Sequence, residues 1–157
     1  FQDLLVFSGN QWLNEVCFRL LAHTMFSDDP DTRFVDAEFL HRAMYHQTPG
    51  PELARNRLFA EAFGSGARYI ILPVNFDNDH WCLLLVDKAR NIVNMFDPLQ
   101  EHSNYSKLQY VCDRYLAIVL REEFSVQRMT ALRQFDGHNC GLLVTRVFDC
   151  RSITKPS

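Results

Sequence analysis

Apolar residues recur at three- and four-residue spacing through Leu13, Val16, Cys17, Leu20 and Leu21, which predicts an amphipathic helix from about Gln11 to Met25. The turn cluster Ser27-Asp28-Asp29-Pro30-Asp31 follows. Asp36 then stands where it would cap a helix carrying Phe39, Leu40 and Met44, which Thr48-Pro49-Gly50-Pro51 would stop. A third helix is predicted from Pro51, a residue suited to a first helical turn, through Leu53, Leu58, Phe59 and Phe63 to Gly64-Ser65-Gly66. The period then changes. Tyr69 to Asn75, Trp81 to Val86 and Asn91 to Phe96 are short, nearly continuous apolar runs between polar turns, as expected of strands covered on both faces. Leu108, Val111, Cys112, Tyr115, Leu116 and Val119 place a long helix from about Asn104 to Glu123. A short strand is expected near Ser125 to Thr130, and a last helix opens at Cys140 with Leu143, Val144, Val147 and Phe148 facing inward. The order is helices, a central sheet, then helices, with no internal repeat or linker.

Composition narrows this to one unit: 157 residues, 47% of them hydrophobic and 13% aromatic, suffice for one well-cored domain spanning 1–157 but not for two. The formal charge is -3 and no basic run stands out, so nucleic acid is discounted as a partner. Neither a signal-like segment nor an 18-residue apolar stretch is present, and no membrane partner is expected. A chain that starts at Phe1 reads as a domain excised from something longer. The five cysteines, Cys17, Cys82, Cys112, Cys140 and Cys150, form an odd set without CxxC spacing. That suits an intracellular reducing compartment, nucleus or cytoplasm, or the inside of a host cell for a secreted effector.

The chemistry concentrates in three segments. Gln134-Phe135-Asp136-Gly137-His138-Asn139-Cys140-Gly141 is a polar, glycine-punctuated loop that delivers a cysteine to a helix start, where unpaired amides and the helix dipole favour the thiolate form. A buried structural thiol is the commoner fate of a cysteine taken alone, but it would not need this loop. His80-Trp81 opens a buried strand after the polar turn Asn75 to Asp79, and Asp97 closes the next strand before Pro98. A two-strand hairpin would bring His80 and Asp97 together, whereas His23, His41, His46, His102 and His138 read as ordinary surface histidines. A thiol needs a base, the base needs a carboxylate to fix its tautomer, and the oxyanion needs donors. Zinc is disfavoured because His80 beside Cys82 does not make the reinforcing ligand pairs a site requires, and glycine-rich phosphate patterns are absent, so no metal or cofactor is expected.

With those residues in place, the chain resembles the ubiquitin-like-protein protease family, the SUMO-specific proteases and their deubiquitinating relatives within the adenain-like, papain-type clan. Gln11-Trp12-Leu13-Asn14-Glu15, His80-Trp81, Phe96-Asp97-Pro98 and Gln134 to Gly141 match that family's anchors in order. The resemblance implies an α+β, papain-like fold in permuted order (His, Asp, Cys), with a central mixed sheet flanked by helices. It implies Cys140 as nucleophile, His80 as base, Asp97 as orienting acid and Gln134 as oxyanion donor. Trp12 and Trp81 would line a narrow channel for the modifier's Gly-Gly tail. The implied function is a cysteine isopeptidase or endopeptidase acting on SUMO, ubiquitin or a relative. Glu15 and His138-Asn139 depart from the usual residues of the SUMO proteases, so the modifier stays open, and the short stretch after the last helix resembles the compact outlying branches of the family. Effector acetyltransferases of the clan carry Glu as the acid and a basic inositol-phosphate site, which Asp97 and the lack of a Lys/Arg cluster weigh against. A catalytically silent modifier-binding module is disfavoured by four competent catalytic positions, and a viral-type processing endopeptidase by Trp12 and Trp81.

Overall fold

The structure is a computed structural model and describes residues 13–37, 40, 49–120 and 123–149. Five strands, β1 (Thr32–Phe34), β2 (Tyr69–Phe76), β3 (His80–Asp87), β4 (Ile92–Phe96) and β5 (Ser125–Met129), form one sheet in sequence order. The pairs β2–β3 and β3–β4 are antiparallel hairpins, whereas β1 and β5 join parallel at the edges, so the sheet is mixed as expected. The helices are α1 (Glu15–Phe26), α2 (Pro49–Gly64), α3 (His102–Val111), α4 (Ala117–Leu120) and α5 (Cys140–Asp149).

Alternation along β3 explains its continuous apolar run. Cys82, Leu84 and Val86 face one cluster, built with Phe59 of α2 and Tyr105, Leu108 and Val111 of α3. Trp81, Leu83 and Leu85 face the other, built with Cys17, Phe18, Ala22 and Phe26 of α1 and Val144, Val147 and Phe148 of α5. Both faces are therefore dry, and the polar ends of the strands are where chemistry can reach water.

Local chemistry sets the boundaries. Asn14 caps α1, its side-chain oxygen accepting the Cys17 amide at 3.0 Å, so the helix starts later than its hydrophobic stripe suggested; Gln11 lies outside the described residues. The helix expected from Asp36 through Phe39 and Met44 falls largely outside them too. β1 was not expected from the sequence and pairs Thr32–Phe34 with Tyr69–Ile71. The long helix begins at His102, two residues early, and passes through a π-helical turn at Cys112–Leu116 before α4.

Candidate active site

The β2–β3 connection is a tight turn in which Asp77 and Asn78 both take positive φ, 57° and 58°, and the Asp79 amide donates back to the Phe76 carbonyl at 3.0 Å. Two consecutive left-handed residues match the twist of the flanking strands, and Asn and Asp tolerate them. The turn fixes His80 as the first residue of β3, opposite Phe76. On the other side Leu83 pairs with Phe96, so Asp97, one residue past β4, arrives beside the start of β3. His80 Nε2 then lies 2.6 Å from Asp97 Oδ1. With Nε2 committed to a carboxylate it carries the proton, which leaves Nδ1 for the thiol of Cys140. Burial opposes the imidazolium, but hydrogen bonds with Asp97 and Cys140 and their charges outweigh it and raise the His80 pKa to about 9.

Asp97 is fully buried and saturated with donors. Oδ1 accepts from His80 and from the Leu99 amide at 3.1 Å, with the Cys82 thiol 3.7 Å away. Oδ2 accepts from the Glu101 amide at 2.8 Å and Asn104 Nδ2 at 3.1 Å. Burial pushes its pKa up, but the hydrogen bonds from His80, Glu101 and Asn104 prevail and hold it below the ordinary carboxylate value. Sequence reasoning found Asp97 but not Asn104 or the amides. An Asp four residues before the cap of a helix, Glu101, was the available signal.

His80, Cys82 and Asp97 bring potential ligand atoms within 4.8 Å of one another, the one such grouping among the described residues. The donor set fits a hydrogen-bond network better than a cation. Burial and the nearby Asp97 drive the Cys82 thiol well above its ordinary pKa, so it keeps its proton, and the Asp97 oxygens are already engaged.

The loop that leads to Cys140 is clamped from within. Asp136 Oδ1 accepts the His138 amide at 3.0 Å and the Asn139 amide at 2.9 Å, and Oδ2 accepts Asn139 Nδ2 at 2.6 Å. These bonds lower its carboxyl pKa to about 2. The Asn139 carbonyl accepts the Leu143 amide at 3.0 Å, which sets Cys140 as the first residue of α5. Asp136, one residue of the polar loop in the sequence, thus holds the chain that presents the thiol. Gln134 is buried, and its Nε2 donates to the Asp136 carbonyl at 2.6 Å, with Oε1 unpartnered among the described residues. Nε2 also donates to Asp136 Oδ1 at the longer distance of 3.4 Å, so both contacts of this amide group are to Asp136. The Gln134 amide donates to the Pro98 carbonyl at 2.7 Å, and Gln100 Nε2 donates to the carbonyls of Thr130 and Leu132 at 3.0 Å each. These three bonds stitch the acid loop to the loop that carries Gln134.

Gly141 follows Cys140 for a reason other than conformational freedom. No described glycine has positive φ. A Cβ at Gly141 would instead meet Leu13 Cβ at 2.9 Å, because α5 closes tightly on the residue before the α1 cap. Gly141→Ala is expected to cost about 1 to 3 kcal/mol through this overlap, read as a lower urea midpoint at unchanged m-value. An unchanged midpoint would mean that Leu13 yields freely.

The two tryptophans expected to line a substrate channel fare differently. Trp12 lies outside the described residues. Trp81 is 2% exposed; its ring centroid is 4.3 Å from that of Phe18, and Nε1 donates to the Leu13 carbonyl at 2.7 Å. Strand alternation turns it into the α1/α5 cluster, which also holds Cys140, and packs it there as a core residue.

Comparison with known proteins places this geometry. A family model described as the Ulp1 protease family, C-terminal catalytic domain, matches residues 46–156. The NEDD8-specific protease 2 of Schizosaccharomyces pombe is 30% identical over 121 residues, a match covering 70% of this chain and 28% of that protein. The chain thus spans little more than a quarter of that relative. The yeast Ulp1 C-terminal protease domain, solved in complex with Smt3, the yeast ortholog of SUMO, superposes with a TM-score of 0.76 at 18% identity, over 99% of this chain and 72% of that one. The Xanthomonas campestris effector XopD, solved bound to ubiquitin, gives a TM-score of 0.66 at 21% identity, over 87% of this chain and 72% of that one.

Proposed function

Because the chain belongs to the Ulp1 protease family, we propose that it is the catalytic domain of a cysteine isopeptidase that cleaves after the C-terminal Gly-Gly of a ubiquitin-like modifier. The observation that carries this reading is the His80 imidazole held between the buried Asp97 carboxylate and the Cys140 thiol. In the first half-reaction the Cys140 sulfur attacks the scissile carbonyl after yielding its proton to His80, and the Cys140 amide and Gln134 stabilise the oxyanion. The tetrahedral adduct collapses to a thioester as His80 returns the proton to the departing amine. Water then attacks the thioester with His80 as base, the modifier leaves as a carboxylate, and the thiol is regenerated. A substrate among SUMO, NEDD8 and ubiquitin is supported by what the similar proteins act on or bind. Action in a reducing compartment, nucleus or cytoplasm, is part of the same reading, since a thiol nucleophile works only while it stays reduced.

The test is a panel of SUMO, NEDD8 and ubiquitin probes carrying C-terminal thiol-reactive warheads, with the labelled peptide identified by mass spectrometry. Labelling at Cys140 by one modifier in preference to the others is the expected result. Labelling by none, or at another cysteine, would overturn the reading.

The raised His80 pKa gives a pH expectation. Loss of the imidazolium should cut kcat/KM on the alkaline side near pH 9 instead of near 6.5. Asp97→Asn removes the negative partner that favours the charged ring, so its alkaline limb should move down toward 6.5. A profile measured with a fluorogenic modifier substrate decides this, and an unmoved limb in the Asn variant would show that Asp97 does not set the charge of His80.

A further inference from the structure

The catalytic carboxylate has two oxygens, and rotation about its terminal torsion would exchange or tilt them. Oδ1 is the one that meets His80, so whatever fixes Oδ2 decides how Oδ1 is delivered. Two groups fix it: the Glu101 amide and the Asn104 side chain. Glu101 is the cap residue of α3 and offers no side-chain cap of its own, so Asp97 Oδ2 takes its amide in the manner of a capping group. Asn104 is the unexpected member. Asparagine is a poor helix former, and a buried amide is costly unless it is hydrogen-bonded. Yet Asn104 sits in the first turn of α3 with 8% exposure, and its Nδ2 is spent on the carboxylate at 3.1 Å.

We propose that Asn104 is a positioning residue for the hydrolytic reaction: its side-chain amide locks Asp97 Oδ2 so that Oδ1 presents to His80 in the orientation that holds the ring against Cys140. This rests on the proposed protease function and deepens it. The other titratable groups around the carboxylate do not substitute for Asn104. His80 and Cys82 of β3 face Oδ1, and Cys140 of α5 meets the imidazole. The Tyr105 hydroxyl of α3 is turned to the Met129 carbonyl at 3.1 Å, and Lys107 one turn on pairs with Asp77 at 3.3 Å. The hydrogen bond from Asn104 also favours the ionised carboxylate, which in turn supports the charged ring.

The experiment compares the wild type with Asn104→Ala and Asn104→Ser. Serine is tolerated at helix starts but is too short to reproduce the amide's reach. Activity is normalised to the Cys140 fraction titrated by a modifier probe, so unfolded protein does not count. Both variants are expected to lose about 10- to 100-fold in kcat with KM within about twofold of wild type, and to shift the alkaline limb of kcat/KM downward. Wild-type kcat per titrated site with an unmoved limb would overturn the proposal, as would a loss that appears only as fewer titratable sites. The His80 ring titration, followed by NMR in wild type and Asn104→Ala, needs no substrate. If the wild type cleaves no modifier yet the ring titrates lower in the variant, the protease reading fails while the positioning role stands. An unchanged ring titration sinks the positioning role whatever the substrate.

Discussion

Cys140→Ala is expected to abolish turnover, by at least about a thousandfold, while the melting temperature moves only a few degrees. The large and the small effect have one origin. The start of α5 is held by the Asp136 clamp, by the Asn139 carbonyl and by the approach of Gly141 to Leu13, and none of these uses the sulfur. Deleting Sγ therefore removes the chemistry and the packing of one buried atom in the α1/α5 cluster, where Cys140 is 3% exposed, a cost of about 1 kcal/mol. No other described thiol is placed to take over, because Cys82, the one beside the same acid, is fully buried and keeps its proton. Residual cleavage above about one part in a thousand in a folded variant would move the nucleophile elsewhere. The measurement is single-turnover cleavage of the modifier substrate beside a thermal melt.

Trp81→Ala is expected to show the opposite balance, a loss of about 3 to 5 kcal/mol in unfolding free energy. The indole is 2% exposed and stacks obliquely on Phe18, and its removal would also leave the Leu13 carbonyl without its donor at 2.7 Å. Denaturant unfolding measures the cost, and activity per folded molecule separates it from any direct role in turnover. A cost under about 1 kcal/mol with severe loss of activity per folded molecule would return Trp81 to the channel wall that the family resemblance implies. Trp81→Phe should fall between, since it keeps most of the apolar contact and loses only the N–H.

Much of this was legible because it is written as hydrophobic period. The runs at Tyr69, Trp81 and Ile92 and the stripe after Cys140 became β2, β3, β4 and α5 with boundaries shifted by one or two residues. β1 was not legible, for three residues carry no period, and its parallel partner lies across a helix in the chain. The π turn inside the long helix likewise has no counterpart in the spacing of Leu108, Val111, Cys112 and Leu116. Within the site, His80, Asp97 and Cys140 were singled out from residue type and address, whereas Trp81 entered only through the family resemblance. Alternation along β3 gives neighbours opposite faces, so the turn of Trp81 into the α1/α5 cluster could have been read in advance. Asn104 and Asp136 were missed as functional residues because their contribution is a hydrogen bond to a particular atom, which neither composition nor period records. Gly141 shows the same limit: a crowded neighbour, Leu13, excludes a side chain there, and no sequence pattern records that approach.

The bonds from Gln100 and Gln134 that join the loop after Asp97 to the loop that carries Gln134 tie those two stretches together. Among the described residues, a motion that swings Asp97 out while Gln134 stays in place would have to break them. Control by a loop shift that disables half of the machinery is therefore poorly served by this architecture. Control is better served at the approaches to the site, by what is allowed to reach the thiol, or at the thiol itself, by chemistry that blocks the sulfur and leaves the frame around it standing.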